Sequence, residues 1–212
     1  MIKTELEALR HELPEGVTLV AVSKFHPVEA LREAYDAGQR VFGESRAQEL
    51  QAKAPLMPAD TQWHFIGHLQ TNKVRPVVSH AALIHSVDSP RLLRAIAAEA
   101  RRQQRRTDVL LQLHVAQEET KFGFTPDELR DFLASGEIEE LADAVRVRGV
   151  MGMASNVDDT DRIRADFRAI RAALPEGCDI VSMGMSDDWQ IAVEEGANMV
   201  RIGSRIFGAR EY

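Results

Sequence analysis

Short apolar runs alternate with longer amphipathic stretches along the whole chain. Thr18–Val22, Arg40–Phe42, Trp63–Ile66, Leu83–His85, Asp108–Val115, Arg146–Met151, Asp179–Ser182 and Met199–Ile202 are of strand length and predict strands. Between them lie segments with helical spacing. Pro27–Ala37 predicts a helix that Gly38 stops, and Ser89–Arg106 a long one, capped by Ser89 with Pro90 in its first position. Ser45–Ala54, Asp187–Glu195 and Asp159–Leu174 complete the pattern, with the last closed by Pro175 and Gly177. Thr71–His80 reads as a helix in which Pro76 makes a kink or a late start. Thr125-Pro126-Asp127-Glu128 opens a helix through Leu133, as a cap followed by acidic residues.

Eight strands, each followed by a helix, predict parallel pairing through right-handed crossovers. Eight such units in 212 residues point to an α/β fold, a single-domain (β/α)8 TIM barrel spanning residues 1–212. An open doubly wound sheet is the runner-up. It would want a glycine-rich phosphate turn after the first strand, and Val22-Ser23-Lys24-Phe25-His26 contains no glycine.

Composition narrows the class. Acidic residues outnumber basic ones 33 to 26, for a formal charge of −7, which argues against a general grip on nucleic acid. Arg101, Arg102, Arg105 and Arg106 make one basic cluster near a helix end, best read as cations complementing that terminus. Cys178 is the only cysteine, so no internal disulfide is expected and a reducing compartment is. No apolar stretch reaches the roughly 20 residues of a membrane span, and Met-Ile-Lys-Thr-Glu-Leu-Glu does not read as a signal peptide. A cytoplasmic protein is the expectation.

Chemistry in a barrel of this kind sits on the loops after the strands. Lys24 follows the first strand directly. A partly dry pocket there would lower its pKa and leave a nucleophilic amine, one able to form a Schiff base with an aldehyde; a surface lysine is the plainer alternative. After strands seven and eight come Ser182-Met183-Gly184-Met185-Ser186 and Arg201-Ile202-Gly203-Ser204. Glycines let the backbone approach closely, serines donate hydroxyl bonds, and two such loops side by side favour a phosphate cradle over a pair of unrelated turns. An electrophile-binding lysine and a phosphate site on one rim point to pyridoxal 5′-phosphate.

The segments Val22-Ser23-Lys24, Phe42–Glu49, Trp63–Lys73, Ser182–Ser186 and Val200–Gly208 carry a resemblance over nearly the whole chain. They resemble the pyridoxal phosphate homeostasis protein family. The resemblance implies a barrel of the alanine racemase N-terminal kind (fold type III among pyridoxal phosphate proteins), binding the cofactor as an internal aldimine and buffering or delivering it. It implies Lys24 as the Schiff-base lysine, Arg201 facing the pyridine nitrogen, and Ser186, Gly203 and Ser204 on the phosphate. Met183 and Met185 are implied near the ring or its phosphate arm, although as bare sequence they are core methionines. Ser45 stands where many relatives have asparagine, His26 where some carry another lysine, and Lys121 matches a second lysine near the rim. The implied partners are the cofactor and pyridoxal phosphate-dependent apoenzymes; charge and hydropathy add the expectation of no nucleic acid and no membrane, and, since nothing in the chain demands a dimer, a monomer is expected.

Binding is the leading expectation over turnover. An arginine only donates, so it leaves the ring nitrogen unprotonated and the cofactor a poor electron sink. Racemases with such an arginine add an acid–base tyrosine from a second domain; this chain has only Tyr35 and Tyr212 and ends ten residues after strand eight. The alternatives are a weak pyridoxal phosphate-dependent amino-acid racemase, a lysine aldolase without cofactor, and a purely structural barrel. No metal site is expected, since His64 and His68 straddle a strand end and lack cysteine or carboxylate partners. Glu44-Ser45-Arg46 reads as a local ion pair at a helix start, and Trp63 and Trp189 as packing residues.

Overall fold

A computed structural model describes residues 1–116 and 122–208. Eight parallel strands pair in chain order and the first pairs back onto the last, so the sheet closes into a barrel. They are β1 (Thr18–Val22), β2 (Val41–Glu44), β3 (Gln62–Phe65), β4 (Ala81–Val87), β5 (Thr107–Gln112), β6 (Val145–Met151), β7 (Ile180–Ser182) and β8 (Met199–Ile202). The (β/α)8 expectation holds and the open sheet is excluded.

Around the strands run α1 (Ile2–Glu12), α2 (Val28–Asp36), α3 (Ala47–Lys53), α4 (Val74–His80), α5 (Pro90–Arg102), α6 (Pro126–Ala134), the one-turn α7 (Glu137–Glu140), α8 (Thr160–Ala172), α9 (Trp189–Glu194) and the one-turn α10 (Ser204–Phe207). The expected caps form. Ser89 Oγ accepts from Leu92 N–H, and Thr125 and Glu128 make a reciprocal capping box. A 3₁₀ turn over Thr71–Lys73 precedes α4, which leaves Pro76 in the first turn where its missing N–H is tolerated.

Two elements end well short of their patterns, β5 at Gln112 against Val115 and α5 at Arg102 against Arg106. β5 stops at Gln112 because the chain returns on it: Phe124 N–H donates to Gln112 O and His114 N–H to Phe124 O. α5 stops at Arg102 because Gln104 takes a left-handed φ of 53° and Arg105 N–H bonds back to Ala100 O. The four arginines at this helix end are each paired locally. Arg101 clasps Asp143 with two bonds, Arg102 pairs with Glu99, and Arg105 and Arg106 bond the carbonyls of Ser79 and Val145.

Strand alternation sorts the core into two layers. Leu19, Ala21, Phe42, Trp63, Phe65, Val109, Leu111, Val150, Val181, Val200 and Ile202 face the helices and join the larger apolar cluster. Inside the barrel, Val20, Leu83, Leu110, Met151 and Met199 form a separate small cluster. Two residues further along β4, β7 and β8 the interior turns polar, with His85, Ser182 and Arg201, all buried. Among the described residues no helix is long and apolar enough to cross a membrane.

Candidate functional site

Lys24 lies in the turn that leaves β1, half-buried, and the main chain on both sides of it is tied down. Ser23 N–H donates to Gly43 O at 3.0 Å, and His26 N–H to Ser23 O at 3.2 Å. Phe25 N–H donates to Glu49 Oε2 at 2.9 Å. Phe25 itself takes a left-handed φ of 67°, uncommon for a bulky side chain. The Arg46 guanidinium sits 4.5 Å above its ring. His26 stacks on Phe207 at 4.9 Å, which links this turn to α10.

Beneath the turn is a buried ionic cluster that the sequence reading missed. Lys53 Nζ donates to Ser23 O at 2.9 Å, to Glu44 Oε1 at 2.8 Å and to Glu49 Oε2 at 2.9 Å. Ser23 Oγ also donates to Glu44 Oε1 at 2.7 Å. Burial pushes the Glu44 carboxyl above its ordinary range while Lys53 pulls it back. Burial acts the same way on Glu49, but the bonds from Lys53 and from Phe25 N–H win and hold it low. The expected local pair within Glu44-Ser45-Arg46 is therefore corrected: Glu44 ends a strand and points in to Lys53, and the carboxylate that Arg46 meets is Glu49, at 4.0 Å. The Glu49–Lys53 spacing of four on α3 was the available signal.

The loops after β7 and β8 meet. Arg201 N–H donates to Gly184 O at 3.0 Å, and Ser204 Oγ lies 3.1 Å from Ser186 Oγ, so the two hydroxyls share one spot on the rim. Gly184 holds φ at 94°, and a Cβ there would come within 2.6 Å of Ala192 Cβ, so only glycine lets this loop lie against α9. Gly203 packs on β1: a Cβ would meet both Val22 Cβ and Val22 O at 3.1 Å. The Ser204 turn thus stands beside the Lys24 turn.

Arg201 projects into the barrel. Its Nη1 donates to Ser182 O at 2.9 Å and Ser182 Oγ at 2.7 Å, and its Nη2 to Gly152 O at 3.0 Å. Burial lowers its pKa to about 10, so it stays charged at neutral pH. Behind Ser182 lie His85, at 2.9 Å, and then His64, at 2.9 Å from His85. These two rings are a second feature the sequence reading did not assemble, because their meeting is set by the register between β3 and β4.

Of the other residues singled out, Met183 is fully buried and joins the core, whereas Met185 is exposed at the rim. Ser45 is half-buried where the next loop abuts it, since a Cβ on Gly67 would lie 2.2 Å from Ser45 O. His68 sits on the rim, 3.1 Å from Asp88 and stacked on Phe122 at 3.7 Å. Trp63 and Trp189 are buried packing residues. Lys121 lies outside the described residues. Among the described residues no group of three or more His, Cys, Asp or Glu could hold a metal ion.

Known proteins are similar to this chain in sequence and fold. The family model for the alanine racemase N-terminal domain matches residues 1–211. The pyridoxal phosphate homeostasis protein of Schizosaccharomyces pombe is 40% identical over 220 aligned residues, covering 97% of this chain and 91% of its own. That of Aquifex aeolicus is 38% identical, covering 92% and 87%. The structure of PipY from Synechococcus elongatus with pyridoxal phosphate bound superposes with a TM-score of 0.89 at 39% identity, covering 98% of this chain and all of that one. Alanine racemase from Enterococcus faecalis, at 20% identity and a TM-score of 0.77, shares the fold. With its barrel, its rim lysine and its paired serine loops, this chain belongs to the pyridoxal phosphate homeostasis protein family, within the alanine racemase N-terminal group.

Proposed function

We propose that this protein binds pyridoxal 5′-phosphate at the β1–β7–β8 rim and holds it in reserve for other proteins, without turnover of its own. The observation that carries the reading is the packing of Gly203 on Val22, which brings the Ser204 turn, with its hydroxyl against that of Ser186, beside the strand that leads into Lys24. The donor set suits the ligand. Two hydroxyls and the N–H groups of the Gly203-Ser204 turn fit a phosphate, and Arg201 retains an Nε–H for a ring nitrogen. Lys24 supplies the amine. Bound there, the cofactor would supply an aldehyde for which the Lys24 amine is the nucleophile.

The residues favour retention over catalysis. Arg201 stays protonated at neutral pH and can only donate, so it holds a ring nitrogen without protonating it. The tyrosine among the described residues, Tyr35, lies beside Arg40 before β2, at the opposite end of the barrel, and bonds Asp60 there. Ser45 and Met183 complete the proposed surroundings of the site, Met183 as packing beneath the loop after β7. The reading implies a cytoplasmic monomer that exchanges cofactor with apoenzymes.

Borohydride reduction of the protein mixed with pyridoxal phosphate, followed by peptide mapping, tests it. Label should fall on Lys24 and vanish in Lys24→Ala, with weaker phosphate-anchored binding retained; label mainly on Lys121 refutes the assignment. Incubation with L-alanine should give no sustained racemisation, and turnover at enzyme-like rates would overturn the carrier role.

A further inference from the structure

Arg201, Ser182, His85 and His64 come from β8, β7, β4 and β3 and form one line across the inside of the barrel. Arg201 Nη1 is 2.7 Å from Ser182 Oγ, Ser182 Oγ 2.9 Å from His85 Nδ1, and His85 Nε2 2.9 Å from His64 Nδ1. None of the four is more than 5% exposed. Beyond His64 lies a cavity of about 300 Å³ at the start of the strands, lined also by Thr18, Gln62, Asp108, Arg148 and Met199.

The direction of this line follows from one fact: a guanidinium has no acceptor. Ser182 Oγ must accept from Arg201, so the hydroxyl proton has to go elsewhere. Among the described contacts of Oγ, the remaining partner is His85 Nδ1. If that nitrogen carried a hydrogen, the serine proton would be buried without an acceptor, a loss the fully enclosed site would feel in full. His85 Nδ1 is therefore the acceptor and Nε2 carries the ring proton. That proton points at His64 Nδ1, which accepts in turn and leaves its own proton on Nε2. Burial disfavours a charged form of either ring, which supports neutral tautomers throughout.

We propose that Ser182, His85 and His64 are positioning residues for Arg201, forming a one-way donor chain in which both imidazoles are Nε2–H tautomers. The chain locks the guanidinium from below, turns its spare Nε–H to the rim, and ends at the cavity on a free donor, His64 Nε2–H. Its role toward the cofactor rests on the binding function proposed above.

Imidazole ¹⁵N–¹H correlation spectra of the ligand-free protein test the chain directly. Both rings should show the Nε2–H pattern, and Nδ1–H on either would overturn it. In Ser182→Ala, a substitution small enough to keep the fold, His85 should lose its single-tautomer signature. Solvent exchange of the Arg201 Nε–H should quicken about tenfold, the equivalent of one net hydrogen bond. The dissociation constant for pyridoxal phosphate should rise by about the same factor, with a shifted absorption maximum for the bound cofactor. Unchanged exchange and affinity in that variant would remove the positioning role. If the wild-type protein fails to bind pyridoxal phosphate at all, the function proposed above falls, while the ligand-free tautomers and the exchange rate still decide the chain.

Discussion

Lys53 spends all three of its protons inside the protein, on Ser23 O, Glu44 and Glu49. A buried ion pair of this kind adds little net stability over an apolar replacement, but removing one partner strands the other. Glu44 would be stranded most, since its Oε2 already lacks a hydrogen-bond partner and its carboxyl is pushed up by burial. Lys53→Met should therefore destabilise the protein by about 3 kcal/mol in chemical unfolding. Adding Glu44→Gln should recover part of that loss by removing the uncompensated charge; a double variant as unstable as the sum of the two singles would contradict the coupling. Because Lys53 grips Ser23 O, the single variant should also lower cofactor retention through Lys24, read as a faster release in dialysis.

The loops after β7 and β8 act as elements. Each is short, and together they bring Ser186 to Ser204 and stand Arg201 N–H against Gly184 O. The left-handed φ of Gly184 and its approach to Ala192 leave no room for a side chain. Gly184→Ala should cost about 1–3 kcal/mol, from backbone strain plus overpacking against α9, and should weaken phosphate anchoring by pulling Ser186 away from Ser204. A Tm and phosphate affinity both equal to wild type would contradict this account. Ser186→Ala, which leaves the backbone alone, should lower affinity for pyridoxal phosphate while sparing Tm. That contrast separates loss of a hydroxyl from loss of the loop.

At the scale of the whole molecule, two neutral histidines in the barrel interior make stability depend on acid. Burial lowers the pKa of His64 to about 4, against an ordinary value of 6.5 for the unfolded chain. Below 6.5 the unfolded chain binds a proton that the folded protein refuses, so unfolding gains as pH falls. The stability tied to His64 is complete above pH 6.5 and is lost progressively down to about pH 4. Its size is roughly 3 kcal/mol. His85 acts in the same direction, and Glu44, whose carboxyl is raised, acts in the opposite one. Urea unfolding at intervals between pH 7 and pH 4 should show stability falling with pH, and His64→Gln should flatten that slope. An equal slope in the variant would remove His64 as a source of the acid sensitivity.

The sequence alone determined the alternation of eight strands with helices, hence the closed barrel, because apolar periodicity and helix caps are local properties. It also singled out Lys24, Gly203, Ser204 and Ser186, which sit past strand ends where barrel chemistry gathers, and Arg201 within the last strand. The tertiary structure alone decided what surrounds them. Lys53 reads as an ordinary residue on an amphipathic helix until β1, β2 and α3 meet beneath the Lys24 turn. His64 and His85 are 21 positions apart and His85 and Ser182 are 97, so their line exists only once the sheet has closed. The reason is physical: a strand's pattern says which side faces inward, but which inward groups touch is set by register and closure across strands distant in the chain.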